Sequence, residues 1–377
     1  MQYRKFGKLD IKASALGFGT MRLPTINSDA SMIDEEEATK MLQYAIDNGL
    51  NYVDTAWPYH REQSELFVGK ALKGGYRQKI YLATKMPPWV VNEHADFEKI
   101  FIKQLEKLQT DYVDFYLLHS LDREPWHKMA NLDYFSWAEK KVQEGKIRFL
   151  GFSFHDHISI FKEIVDYYPK WDFAQIQLNY LDTEHQAGLE GLHYASEKGL
   201  GVVIMEPLRG GELANPPEKV KDIFNSTGIK RSYVDWALRW LWNLPEVSTV
   251  LSGMNTFGQV QENIELASKA ETNTLSKEEL EIYKKAREVF LNSRPISCTG
   301  CSYCLPCAVN ISIPDVFDTY NRGVSSNDIE RAKKAYNSFF DIKADACIEC
   351  GTCELQCPQS LPIRELLKKV HEELSNV

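Results

Sequence analysis

The chain has 377 residues, 44% of them hydrophobic, and a formal net charge of −9. That length suits one large α/β domain with an appendage and a substantial buried core. The acidic balance argues against a nucleic-acid partner, and no apolar run approaches the roughly 18 residues of a membrane helix. The first residues, MQYRKFGKLDIKAS, lack a signal-peptide core, so a soluble cytoplasmic protein is expected, with neither nucleic acid nor membrane as partner.

YRKFGKLDIKA reads as a short hairpin that caps the bottom of the main domain. Eight β-branched and aromatic runs then read as strands: SALGFGT, NYVDTA, KIYLATK, DYVDFYLLH, IRFLGFS, FAQIQLNY, GVVIMEP and STVLSGM. Amphipathic stretches of helical length separate them. DEEEATKMLQYAIDNG has an acidic first turn and a stop at Gly49. DFEKIFIKQLEKLQT puts Phe97, Phe101, Leu105 and Leu108 on one face, and LDYFSWAEKKVQEGK and SIFKEIVDYY have the same pattern. Strand and helix alternating eight times is the pattern of a (β/α)8 TIM barrel. A doubly wound open sheet is the alternative. It would announce itself by a glycine-rich turn after the first strand, where GFGTMRLP offers only Gly17 and Gly19 before a proline.

In such a barrel the strand ends carry the chemistry. Asp54 ends the second strand with Tyr59 in the loop beyond, Lys85 ends the third and His119 the fourth. The four suggest acid catalysis on a carbonyl. A neighbouring ammonium such as Lys85 lowers a tyrosine's pKa and makes Tyr59 a usable proton donor. Asp54 holds Lys85 charged, and His119 orients the carbonyl oxygen or shares the proton. The bland alternative is a structural Asp54–Lys85 ion pair under the barrel mouth.

NYVDTAWPYH, YLATK and DFYLLH resemble the aldo-keto reductase family, over about Leu9 to Ala270. The resemblance implies that Asp54, Tyr59, Lys85 and His119 form the family's tetrad, which reduces carbonyls with NAD(P)H. It also implies cofactor contacts at Gly19, Thr20, Ser153, Gln175, Met205, Leu208, Gly210, Gly253, Gln259, Glu262 and Asn263. Several of these depart from the family. Phe154 replaces an asparagine beside Ser153, with His155 next, and Met205 stands where a tyrosine stacks on the nicotinamide. Leu208 and Gly210 would lie beside a pyrophosphate, and Glu262 and Asn263 near the adenine. The basic residues that hold the 2′-phosphate of NADP in many members fall on Gly253 and Gln259, so no strong preference for NADPH is expected. Arg209 and Arg231 are the nearest candidates in sequence to compensate. Trp89, Trp126 and His127 are candidate walls of a substrate pocket; they could equally cover the barrel top.

SKEELEIYKKAREVFLNS, with a capping-box start from Ser276 to Glu279, reads as a helix linking barrel and tail, packed rather than free. All eight cysteines lie beyond it: Cys298, Cys301, Cys304 and Cys307, then Cys347, Cys350, Cys353 and Cys357. Two dense clusters in an intracellular chain point to metal. The second run, ending in Pro358, has the bacterial ferredoxin spacing, in which the fourth cysteine ligates the other cluster. The first run departs in its last gap and in Ala308. The tail resembles a two-cluster ferredoxin module. That implies two 4Fe–4S clusters, one on Cys298, Cys301, Cys304 and Cys357, the other on Cys347, Cys350, Cys353 and Cys307. Zinc is the alternative. SSNDIERAKKAYNSFF is expected as a helical insert between the halves. The chain thus divides into a barrel, 1–293, and a ferredoxin-like domain, 294–377.

The expected function is an iron–sulfur aldo-keto reductase acting on a small-molecule aldehyde or ketone. The alternative is an electron-transfer or docking protein on a barrel that has lost or changed its hydride chemistry. Hydride transfer moves two electrons and a cluster moves one, so structural clusters, a redox partner protein or an unseen flavin all stay open.

Overall fold

The computed structural model describes residues 1–325 and 328–375. They form two compact units: Met1–Pro207 with Leu238–Thr274, and Leu208–Ala237 with Leu275–Val377.

In the first unit β1 (Tyr3–Phe6) and β2 (Leu9–Ser14) pair as the antiparallel hairpin. Eight parallel strands come next: β3 (Leu16–Gly19), β4 (Tyr52–Asp54), β5 (Tyr81–Met86), β6 (Val113–Leu121), β7 (Ile147–Phe154), β8 (Phe173–Gln177), β9 (Gly201–Met205) and β10 (Val247–Gly253). Each pairs with its successor and β10 closes on β3, so the sheet is a (β/α)8 barrel with no free edge. The doubly wound alternative is set aside. Phe6 plugs the barrel's floor, fully buried among Tyr52, Phe115, Phe173, Val203 and Leu251. Gly7, at φ +53°, lets the hairpin turn lie on the backbone of Gly199, Leu200 and Gly201, where a Cβ would meet atoms at 2.3–2.6 Å.

The helices keep to their sequence patterns. Glu35–Asp47 has three glutamates in its first turn, and the Asp34 carboxylate accepts from Glu37 N–H as N-cap. In Ala95–Leu108 the inward face is Phe97, Ile100, Phe101, Gln104 and Leu108, while Leu105 is only half-buried. Gln104 takes the inward place because it meets polar groups under the barrel mouth.

In the second unit the helix Lys277–Ser293 starts with the expected capping box, Ser276 and Glu279 bonding reciprocally at 2.9 and 3.2 Å. It packs on the helix Glu218–Asn225. Tyr283 stacks edge-on to Trp236 and Phe224 and donates to the Trp236 carbonyl at 2.7 Å. Arg231 pairs with Glu279 at 2.6 Å. Beyond it, helices Ile313–Ser325, Ile329–Phe339 and Ile363–Ser375 enclose a core of Ile311, Phe317, Tyr336, Leu367 and Val370. Six of the cysteines pack against that core. The insert is helical over Ile329–Phe339; its Ser326 and Asn327 lie outside the described residues. Among the described residues no helix is long and apolar enough to cross a membrane.

Candidate active site and cysteine sites

The C-terminal ends of β4, β5 and β6 bring the tetrad together. Lys85 Nζ lies 2.8 and 2.7 Å from the two Asp54 carboxylate oxygens, 2.8 Å from the Thr55 carbonyl and 3.4 Å from Tyr59 Oη. Both partners are buried, Lys85 completely and Asp54 to within 2%. Burial pushes the Lys85 ammonium down and the Asp54 carboxyl up, and each opposes the shift of the other. The ammonium stands 4.9 Å from the Tyr59 ring centroid. His119 faces Tyr59 edge-on at 6.0 Å between centroids. Burial, then the Lys85 charge, holds His119 well below its ordinary value, so it is neutral, with a buried Nδ1 that has no protein partner.

Sequence reasoning missed the polar layer beneath this group. Gln104 Nε2 donates to the Lys85 carbonyl at 2.9 Å and to Glu65 Oε1 at 2.8 Å, and Tyr116 donates to Gln104 Oε1 at 2.7 Å. Glu65, fully buried, also accepts from Thr84 at 2.7 Å and faces Lys107 at 3.5 Å. These bonds fix the backbone of the lysine. A glutamine at a helix position reads as surface in sequence, so only the buried carbonyl and carboxylate it serves identify it.

Of the expected pocket walls, Trp89 is half exposed and stands 5.2 Å from the His119 ring. Trp126 is not a wall: it is 1% exposed, packs on Phe135 and Tyr167, and donates to Glu163 at 3.0 Å. His127 pairs with the same carboxylate.

The expected cofactor residues sit on the remaining strand ends. Gly19 ends β3, Ser153 and Gln175 are register partners on β7 and β8, and Met205 and Gly253 end β9 and β10. Ser153 Oγ accepts from Ser120 N–H at 2.7 Å. Gln175 Nε2 lies 3.6 Å from Met205 Sδ, and its Oε1 is buried without a partner. An unmet acceptor at a barrel mouth fits a ligand with an amide N–H, such as the nicotinamide carboxamide. The Thr20 hydroxyl is taken by the Asp54 carbonyl at 2.9 Å and Ser64 at 2.7 Å. Asn263 donates to Ser252 at 3.1 Å, Gln259 Oε1 accepts from Asn255 N–H at 2.9 Å, and Glu262 is half-buried. His155, after β7, has a buried Nδ1 without a partner; burial lowers its pKa to about 4 despite a hydrogen bond with Gln186.

Leu208 and Gly210 belong to the second unit. Gly210, at φ +63°, lies against the Thr299 carbonyl, where a Cβ would come within 2.0 Å. Thr299 sits between Cys298 and Cys301. Cys298, Cys301, Cys304 and Cys357 line one cavity with Ile313 and Phe317, so the last cysteine of the second run joins the first three of the first. Cys353 feels the charge of Cys347, and Cys307 packs on the same core. Among the described residues no three His, Cys, Asp or Glu side chains close on a point as a single metal ion requires. Four thiols spread around an apolar cavity suit a cubane, whose iron corners are capped separately.

Residues 15–288 match the family model described as the aldo/keto reductase family, and residues 297–362 match a 4Fe-4S dicluster domain. L-galactose dehydrogenase of Arabidopsis thaliana is 28% identical over 302 residues, 74% of this chain and 92% of that protein. A holo-form aldo-keto reductase from Bacillus halodurans superposes with a TM-score of 0.64 at 29% identity, over 76% of this chain and 96% of its own. An aldo/keto reductase from Klebsiella pneumoniae, solved with NADP and acetate, gives 0.60 at 25% identity, over 76% and 95%.

Proposed function

The chain belongs to the aldo/keto reductase family and is an oxidoreductase carrying a 4Fe-4S domain, and on that footing we propose that it reduces the carbonyl of a small-molecule aldehyde or ketone. The observation that carries this reading is the single ammonium of Lys85 touching both the Asp54 carboxylate and the Tyr59 hydroxyl, beside a neutral His119. A bound nicotinamide nucleotide supplies the hydride for the carbonyl carbon. Tyr59 gives its phenolic proton to the carbonyl oxygen, which becomes the alcohol hydroxyl. Lys85 stabilises the negative charge left on Tyr59 Oη, and Asp54 keeps Lys85 charged in a site that burial would otherwise neutralise. His119, uncharged, donates an imidazole N–H to the carbonyl oxygen and leaves the proton transfer to Tyr59. Ser153 and Gln175 would hold the carboxamide. In the tail, the two cysteine quartets would hold two 4Fe–4S clusters, and we place the domain boundary at residue 294. The thiols suit a reducing compartment, the cytoplasm.

Tyr59→Phe tests this reading. It should abolish carbonyl reduction while leaving nucleotide affinity nearly intact, because only the proton donor is lost. Wild-type turnover by the variant would refute the assignment.

Phe154 and Met205, at positions where the family carries other residues, favour a second reading. In it the barrel carries clusters that exchange electrons with a partner protein and no longer handles hydride. Titration calorimetry with NADH and NADPH separates the two, since only the reductase binds either nucleotide.

A further inference from the structure

Tyr59 is followed by His60, Arg61 and Glu62 at φ +53°, +49° and +68°. Among the described residues this is the only run of three non-glycine residues in the left-handed region. A side chain crowds its own backbone there, so each of the three costs free energy that neighbouring contacts must offset. The turn sits inside a loop fixed at both ends. Lys85 Nζ donates to the Thr55 carbonyl at 2.8 Å, and the Thr55 and Ser64 hydroxyls bond at 2.9 Å. Ser64 N–H then donates to the Tyr59 carbonyl at 3.2 Å. With the ends held, the backbone at Tyr59 moves only if the turn changes its course.

Two side chains fasten the turn. Glu62 accepts from Trp57 Nε1 at 3.1 Å and from Lys107 at 3.3 Å, but its side chain is 49% exposed. Arg61 stands 3.8 Å from Asp29 on the surface, where an ion pair contributes little. His60 is the buried anchor, held at both ring nitrogens. Nε2 accepts from Leu23 N–H at 3.1 Å, and Nδ1 donates to the Ala30 carbonyl at 2.9 Å. The two bonds together require a neutral imidazole with its proton on Nδ1. Burial lowers the ring's pKa and, with the Arg22 charge, outweighs the bond to Ala30, which favours that form. Leu23 and Ala30 are themselves placed by a small hairpin beyond β3. In it Ile26 N–H donates to the Met32 carbonyl at 2.8 Å and Asp34 N–H to the Pro24 carbonyl at 2.9 Å. The imidazole therefore ties the loop after β4 to the chain that leaves β3.

We propose that His60 is a positioning residue for Tyr59: clasped between Leu23 and Ala30, it keeps the turn left-handed and so holds the Tyr59 hydroxyl at the Lys85 ammonium. This rests on the proposal that Tyr59 is the proton donor in a carbonyl reduction. The hydroxyl lies 3.4 Å from Lys85 Nζ, at the outer limit of a hydrogen bond, so a small drift of the ring loses the ammonium's help. His60 acts through the Tyr59 backbone and not on the carbonyl itself.

The test compares His60→Gly and His60→Gln with the parent, each as the cluster-loaded full chain. Glycine accepts the left-handed backbone without strain but removes both ring bonds. Glutamine can replace both, its amide oxygen accepting from Leu23 N–H and its amide nitrogen donating to Ala30. Hydrogen exchange of the peptide from Met21 to Asp34 reads the clasp, and steady-state reduction of para-nitrobenzaldehyde with titrated NADH and NADPH reads its effect. His60→Gly should speed exchange in that peptide and lower kcat by about 10- to 100-fold, the loss that a misplaced catalytic group brings, with nucleotide affinity nearly unchanged. His60→Gln should keep the parent's protection and most of its kcat. Faster exchange with parental kcat in His60→Gly would overturn the proposal, as would unchanged exchange. Equal loss of kcat in both variants would overturn it too, because the two ring bonds would then not be what matters. A parent that neither reduces the aldehyde nor oxidises the matching alcohol would bring down the reductase reading and this proposal with it, while the exchange data would still show whether His60 holds the turn.

Discussion

Replacing Lys85 by methionine should damage stability and catalysis by separable routes. The side chain keeps its length but no longer offers an ammonium to Asp54, which is 2% exposed and takes both of its close contacts from Lys85. A buried carboxylate left alone protonates, since burial already raises its pKa. In the unfolded chain Asp54 stays ionised above its ordinary value of 3.8. At pH 7 the variant therefore loses up to about 1.36 kcal/mol for each unit between 3.8 and 7, a ceiling of about 4 kcal/mol. That agrees with the roughly 3–5 kcal/mol typical for breaking one side of a buried pair. The sign comes from the raised folded pKa: the variant's deficit grows with pH and shrinks as pH falls toward 3.8. At pH 5 the deficit should be smaller than at pH 7, because the unfolded carboxylate gains less from ionisation there. Asp54→Asn in the same chain removes the charge and should recover most of the stability at pH 7, yet neither variant should reduce a carbonyl. The assay is urea unfolding of parent, single and double variants at pH 5 and pH 7, beside turnover on a confirmed substrate. A single-variant deficit independent of pH and unrelieved by Asp54→Asn would refute the claim that Lys85 holds a charged Asp54. Turnover retained in Lys85→Met would refute its action on Tyr59.

Two further outcomes are expected. Cys357→Ser should remove the same cluster as Cys304→Ser, leaving about four of roughly eight irons per chain. The double variant should lose no more, whereas loss of all iron by assay would show that each sequential run holds its own cluster. His155, held at about 4 against an ordinary 6.5, stays neutral in the folded chain while the unfolded chain takes up a proton. It should therefore lower stability by about 2 kcal/mol between pH 7 and pH 5. His155→Asn should flatten the pH slope of urea stability by that amount, and an unchanged slope would remove His155 as its source.

The barrel was legible because its strands are short β-branched or aromatic runs bounded by polar turns, and closure leaves most of their residues buried on both faces. That Asp54, Tyr59, Lys85 and His119 come together was legible because they stand at or just beyond strand ends, which sequence locates to within a residue or two. Gln104 was not legible. Helical periodicity ranks Leu105 as the inward residue, and the need to satisfy Glu65 and the Lys85 carbonyl outranks it only once those groups are in place. Trp126 failed for a related reason: a tryptophan in a loop after a strand reads as a pocket wall until Glu163 is found to hold its indole N–H.

Gly210 shows how one residue answers to two demands. The family resemblance places it beside a cofactor pyrophosphate, which needs close backbone approach. In the structure its open side is occupied by the Thr299 carbonyl, and its φ of +63° disfavours any side chain. Thr299 separates two cysteines of the quartet that lines the tail cavity, so glycine at 210 is required by the loop that would carry a cluster, whatever the nucleotide does. The segment leaving β9 packs in the same compact unit as the cysteines. The ion pairs of Glu212 with Arg209 and Arg294, and of Arg294 with Asp318, hold it there at 2.8, 3.4 and 3.1 Å. A glycine motif read only through its family would assign all of its constraint to the cofactor. Here the carbonyl contact is direct and the cofactor contact is inferred, so the cysteine loop has the stronger claim on that glycine.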